Sequence, residues 1–175
     1  AIFTDVVGNP EYDDMIISQA ELATFYWAFN QRVEELANPL VRRALAMAVD
    51  RQAILDGPYN GKDVLANGII PPGLAGYQER DGIAYDPEAA RALLAEAGVP
   101  QGWTLDMVLP QPYEEHILAG QIVQDFLRDL GINAQIRIVE WGVWLSDTYG
   151  GPRNFDITVV GHTGKLDPSG RLTGL

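Results

Sequence analysis

The sequence predicts an α/β fold, a mixed β-sheet flanked by helices. Three observations point there. An Asn/Asp-Pro pair stands ahead of an apolar stripe of helical period twice, at Asn38-Pro39 and at Asp86-Pro87. Strand-like alternation near 104–109 and 132–138 brackets a long helical pattern; this is a β–α–β unit, whose strands run parallel if they share one sheet. Helices and strands keep alternating through the second half.

Taken in order, residues 1–22 form an N-terminal segment set apart from the rest, with a turn at Gly8, Asn9 and Pro10 and a short helix expected over Tyr12–Ala20. Thr24–Asn30 (TFYWAFN) reads as an aromatic strand, with Phe25, Trp27 and Phe29 on one face and Tyr26, Ala28 and Asn30 on the other. Asn38 caps a helix whose stripe is Leu40, Val41, Ala44, Leu45, Ala48 and Val49. Asp50 caps a second, short helix to Leu55, ended by Gly57-Pro58. Residues 56–85 are rich in glycine and proline and read as loop, stiffened by Pro71-Pro72.

Asp86 caps the helix Pro87–Ala97, which buries Ala90, Leu93, Leu94 and Ala97 and stops at Gly98. Leu105, Met107 and Leu109 face one side of the next strand. A helix from Glu114 to Leu130 follows, with Leu118, Ile122, Phe126 and Leu130 as its expected buried line, and Gly131 ends it. Ile132, Ala134, Ile136 and Ile138 mark the second strand of the unit. Trp141–Tyr149 is a short helix and Asp156–Gly161 the last strand.

Composition narrows the chemistry. The 175 residues carry 12 Lys+Arg against 24 Asp+Glu, a formal charge of −12. That balance opposes a nucleic-acid partner, which needs a basic face, and docking to anionic lipid. With no cysteine, disulfides, zinc–thiolate sites and thiol nucleophiles are excluded. No apolar run reaches the ~20 residues of a membrane span. No basic-then-apolar segment opens the chain, so the expectation is a mature form or a piece of a longer protein.

No catalytic constellation emerges, and the chain reads as a non-enzyme. His116, on a polar-fronted helix start, is expected to be solvated. Asp13/Asp14 and Glu114/Glu115 are sequence neighbours that diverge on regular elements, whereas paired-carboxylate chemistry needs two groups facing one cleft. The serines lack a nucleophile elbow and the glycines lack a phosphate-cradling spacing. No metal site and no cofactor are expected. The four tryptophans offer another role besides packing: flat rings that receive a solute. Trp27, Trp141 and Trp144 are the better placed, and Trp103 reads as structural. Gly161–Asp167 (GHTGKLD) follows a strand directly, where open α/β sheets place their ligands, and supplies His162, Thr163 and Lys165.

Five pieces in order resemble the extracytoplasmic solute-binding proteins of ABC importers, family 5, which serves peptides, nickel and oligosaccharides: Trp27-Ala28-Phe29-Asn30; VRRALAMAVDRQAIL at 41–55; ANGIIPPG at 66–73; YDPEAARALLAEAG at 85–98; and LRDLGINAQIRIVEW at 127–141, with Phe155-Asp156 and Asp167-Pro168 beyond. The resemblance implies a periplasmic-binding-protein-like lobe over 23–175, the second of two lobes that close on a solute, in a periplasmic or extracytoplasmic protein. Its partners would be the missing first lobe, a small solute (peptide-, opine- or sugar-like) and a membrane permease. Residues 9–14 (NPEYDD) resemble a family segment that usually lies after this lobe. The candidate ligand-binding set is Trp27, Asn30, Trp141, Trp144, His162, Thr163 and Lys165. Lys165 stands where peptide-specific members place an aspartate for the ligand's amino terminus; Lys offers donors where an amine needs an acceptor, so a carboxylate, sugar or phosphate is the better fit. A nickel chelate held through His162 is a further option. A ligand-sensing domain of a regulator is the alternative reading of the same lobe.

Overall fold

The computed structural model describes residue 6, residues 9–17, 21–149 and 151–162, and residues 167 and 169; of His162 it describes the backbone alone. Four strands make one mixed sheet: β1 (Thr24–Phe29), β2 (Thr104–Pro110), β3 (Asn133–Val139) and β4 (Ile157–His162), in the order β1-β4-β2-β3. β2 runs parallel to both β3 and β4, while β1 lies antiparallel to β4 with Thr24 opposite His162. The α/β class and the parallel β–α–β unit are as the sequence predicts. The six described helices are α1 (Glu34–Ala37), α2 (Pro39–Ala48), α3 (Arg51–Asp56), α4 (Pro87–Glu96), α5 (Glu114–Asp129) and α6 (Trp141–Tyr149).

Local chemistry explains where the helices begin. The Asn38 side chain accepts the Leu40 N–H at 2.9 Å, Asp50 accepts from Gln52 at 2.9 Å, and Asp86 accepts from Ala89 at 2.9 Å. Each satisfies an amide that the first turn leaves free. Gly98 and Gly131, just past α4 and α5, sit at φ 74 and 80, the left-handed stop that glycine adopts without a Cβ clash.

The sheet separates two apolar layers. Leu105, Met107, Leu109, Ala134, Ile157 and Val159 point to the side covered by α2, α4 and α5, where Val41, Ala44, Leu45, Ala90, Leu94, Val123 and Leu127 complete the main core. Trp103 belongs to this core, as its position predicts. Val108 and Val160 point the other way, against Trp144 of α6 and Phe155.

Three expectations need correction. Around Tyr12–Ala20 the described residues hold one 3-10 turn, Asp13–Met15, and residues 18–20 lie outside the described set. On α5 the buried line is His116, Ala119, Gly120, Val123 and Leu127; of the expected line Leu130 is buried, Ile122 and Phe126 are half-buried and Leu118 is exposed. The small pair Ala119-Gly120 lets the helix approach the sheet closely: a Cβ on Gly120 would stand 2.4 Å from Leu109 Cδ1. Finally, His116 is buried rather than solvated.

Residues 57–85 form a loop, one residue shorter than the predicted 56–85 because Asp56 ends α3, and it is tied down at several points. Arg51 donates to the carbonyls of Ala66 (2.9 Å) and Ile83 (3.2 Å). Thr24 Oγ1 donates to the Ile69 carbonyl at 3.1 Å, fastening the loop to the start of β1.

Candidate functional site

The three parallel strands finish at one rim, at Pro110, Val139 and His162, and β1 begins there. Each described stretch at this rim carries an aromatic ring. Phe25 stands at the start of β1, Tyr113 just past β2, and Trp141 just past β3. The rings form a connected ledge. Phe25 leans on His116 at 5.3 Å between centroids, His116 stacks on Tyr113 at 5.1 Å, and Tyr113 meets the edge of Trp141 at 5.4 Å. Trp141 stacks nearly parallel on Trp144 at 4.9 Å and 10°, and Tyr149 closes the series edge-on at 5.8 Å. Offset and edge-on ring pairs at these separations are attractive, contributing about 0.5–1.5 kcal/mol each beyond area burial.

The ledge crosses the rim from one face of the sheet to the other. Phe25 packs at Gly161, whose missing side chain leaves the room: a Cβ there would fall 2.5 Å from Phe25 Cε1. Trp144 is the anchor of the far end. It is 3% exposed, and its Nε1–H donates to Thr158 Oγ1 at 2.9 Å; that hydroxyl donates in turn to the Val108 carbonyl. Glu140 caps the helix beneath Trp141 by accepting from Gly142 at 2.7 Å and Val143 at 3.3 Å. Phe25, Tyr113 and Tyr149 remain open to solvent, at 44%, 39% and 51% exposure.

The predicted site residues divide. Trp141 and Trp144 meet, as neighbours on α6. Trp27 does not join them: it packs with the main core on the opposite face of the sheet, so the three indoles form no common wall. Asn30 is buried, and its amide is committed to backbone, donating to Arg153 O (3.0 Å) and Phe155 O (2.8 Å) while its Oδ1 accepts from Arg32 N–H (3.1 Å). His162 ends β4 at the rim, with its backbone paired to Thr24. Thr163 and Lys165 lie outside the described residues.

Four rings of the ledge were not chosen as site residues from the sequence: Phe25, Tyr113, His116 and Tyr149. The PYEEH run after β2 held the available signal, an aromatic directly past a strand's carboxyl end with a histidine three residues on, one helical turn away.

A second polar cluster holds α6 in place. Arg137 of β3 pairs with Asp106 of β2 at 2.8 Å and with Asp147 of α6 at 3.3 Å, and donates to the Asn154 carbonyl at 2.7 Å. The hydrogen bond to Asp106 is the main cause that raises the guanidinium pKa. Among the described residues no group of three or more His, Asp or Glu could hold a metal ion, and no helix is long and apolar enough to cross a membrane.

Comparison with known proteins assigns this architecture. Residues 4–174 match the family of bacterial extracellular solute-binding proteins, family 5 Middle. The chain is 36% identical over 126 residues to the dipeptide-binding protein of Escherichia coli, covering 69% of this chain and 23% of that relative. It is 36% identical over 152 residues to di/tripeptide-binding protein 1 of Pseudomonas aeruginosa, covering 84% and 28%. The chain thus spans about a quarter of the length of these curated relatives. Among solved structures it resembles the periplasmic binding protein DppA of Helicobacter pylori in complex with the peptide STSA, with a TM-score of 0.86 at 24% identity, covering 97% of this chain and 34% of that one. It also resembles the binding protein AgaA of A. tumefaciens R10 in complex with agropinic acid, with a TM-score of 0.76 at 28% identity, covering 93% and 35%. A mixed sheet with this helix arrangement, matched along nearly its whole length, places the chain in the bacterial extracellular solute-binding proteins of family 5.

Proposed function

We propose that this chain is the second lobe of a two-lobe solute receptor of an ABC importer, and that its ring ledge is one wall of the solute site. The lobe spans 23–175, with 1–22 a separate segment. The observation that carries the reading is the rim itself: strand ends, where α/β sheets take ligands, furnished with exposed ring faces on a rigid support. Relatives named for dipeptides and di/tripeptides, together with a neighbour solved in complex with agropinic acid, support a small polar solute and leave its class to the rim.

In this reading Trp141 and Tyr113 face the solute, while Trp144, Trp27 and Asn30 hold the scaffold. His162, Thr163 and Lys165 supply polar contacts to the solute. Lys165, where peptide-specific members carry an aspartate, favours a solute bearing a carboxylate, sugar or phosphate over one recognised by its free amine. The protein works by capture outside the cytoplasm, without catalysis. Solute stabilises the closed pair of lobes because it binds that state better than the open one, and the closed form docks on the membrane permease.

Native mass spectrometry of the full-length parent, followed by calorimetry with the molecule released from it, tests this. An opine, a sugar or an acidic small molecule is expected. A free-amine peptide would overturn the Lys165 assignment, and a parent that carries and binds no solute would overturn the receptor reading.

A further inference from the structure

His116 lies on the first turn of α5 and is 7% exposed. A buried imidazole is costly unless its nitrogens are bonded, so a site that keeps one gains something from it. Its neighbours come from three separate stretches. Tyr113 stacks on it at 24° between planes, and Phe25 of β1 leans on it at 59°. Tyr59 reaches in from the turn after α3, with its hydroxyl 3.0 Å from Nδ1. That turn is itself shaped, with Asn60 and Gly61 both at positive φ and the Gly61 N–H returning to the Leu55 carbonyl at 2.8 Å. Tyr113 and Phe25 are the open rings at this end of the ledge, at 39% and 44% exposure. Besides Trp141 for Tyr113 and Gly161 for Phe25, the support both share is the His116 ring.

We propose that His116 is the positioning residue of the ledge: pinned through Nδ1 by the Tyr59 hydroxyl, its imidazole sets where Tyr113 and Phe25 stand, and so ties the turn after α3 to the solute-facing rings. The solute-facing role rests on the receptor reading above, whereas the ring positions are measurable with no solute present, so the two fail separately.

The chemistry of the pin gives it a pH dependence. Burial, then Glu115 and Asp63, push the Tyr59 phenol up to about 12, so it keeps its hydrogen and donates to Nδ1 in the neutral tautomer that carries its hydrogen on Nε2. Burial lowers the His116 pKa, with Glu115 of the same helix acting the other way. The groups facing the imidazole are therefore Tyr59, Glu115 and the rings of Tyr113 and Phe25. Once protonated, Nδ1 becomes a donor, and the Tyr59 hydroxyl has to turn its hydrogen elsewhere. The neutral-state arrangement is held above the ordinary histidine value of 6.5; as pH falls through the lower folded value the bond reverses, Nδ1–H donating to the Tyr59 oxygen, and a charged ring comes to lie against Tyr113 and Phe25.

The test is an NMR titration of the 175-residue chain from neutral to acid pH, following the ring signals of His116, Tyr113 and Trp141 while far-UV circular dichroism reports the fold. Tyr113 and Trp141 are expected to shift with the His116 midpoint, below 6.5, with the fold intact. His116→Gln keeps an acceptor for Tyr59 and should hold the neutral-pH ring signals with the acid transition gone. Tyr59→Phe keeps the ring volume, removes the pin, and should disorder the Tyr113 signal at neutral pH. The proposal is overturned by Tyr113 and Trp141 signals that ignore the His116 titration, by an acid transition that survives in His116→Gln, or by a Tyr59→Phe chain whose Tyr113 matches the parent. Unfolding of the whole domain at the His116 midpoint overturns it equally, because the effect would then not be local.

Discussion

Thr158→Val should destabilise the domain by about 2–4 kcal/mol, although valine has nearly the shape of threonine and leaves no cavity. Thr158 is fully buried and passes a hydrogen bond along: Trp144 Nε1–H to its Oγ1, and its own hydrogen to the Val108 carbonyl. Valine ends both bonds in a layer closed to water. A buried donor stranded without a partner costs about 1–3 kcal/mol, and the carbonyl's loss adds about 1 kcal/mol. Thr158→Ser keeps the hydroxyl and loses only a methyl, which costs about 0.5–1.5 kcal/mol. Trp144→Phe removes the donor in advance, so in that background the valine substitution should cost only about 1 kcal/mol, a coupling of about 1–3 kcal/mol. Urea denaturation followed by far-UV circular dichroism measures the four variants against the parent without relying on the altered indole. If the valine protein matches the parent to within about 0.5 kcal/mol, or its cost is unchanged beside Trp144→Phe, then the buried bond does not hold Trp144 as argued.

Gly120→Ala should destabilise by about 1–2 kcal/mol in the same assay, despite alanine's better helix propensity, because its Cβ would press on Leu109 Cδ1 at 2.4 Å. Asn30→Ala should cost about 2–3 kcal/mol, since it strands the carbonyls of Arg153 and Phe155 and the Arg32 amide together. Alkali should weaken the fold: Tyr26 and Tyr59 are each held up to about 12, mainly by burial, against 10.0 when free. Their contribution is intact below 10.0 and disappears as pH rises toward 12, so urea midpoints should fall across that window, and Tyr59→Phe should flatten part of the fall.

The helix starts were legible because capping is local: an Asn or Asp and the amides it bonds lie within three residues. The strands were legible because their alternation survives in one-dimensional sequence. The orientation of α5 was not. Leu118, Ile122 and Phe126 repeat with helical period just as Ala119, Val123 and Leu127 do, and size alone argued for the larger set. What decides is the distance to the sheet, which only small residues allow; Phe126 instead packs edge-on against Tyr85 at 5.5 Å outside the main core. The short helix α1 was missed because part of its support comes from outside it: Arg42 donates to the Leu36 and Ala37 carbonyls at its end.

The ledge was only half legible. Trp141 and Trp144 are three residues apart on one helix, so their stacking follows from sequence spacing. His116 needed Phe25 and Tyr59, which are 91 and 57 positions away in the chain, and no local pattern announces a partner at that range. Trp27 misled for the opposite reason. An aromatic strand shows which residues alternate, but not which face the helices will cover.

The reversed direction of β1 has a mechanical consequence. Because Thr24 sits opposite His162, the backbone arrives at this outer ribbon and departs from it at the same corner. Tension applied between those two points would open the β1–β4 rungs one after another, like a zip, instead of loading all six paired positions at once as a shear would. The sheet is therefore weakest to a pull at the very rim where the rings stand, and strongest to a pull between opposite ends of its parallel strands.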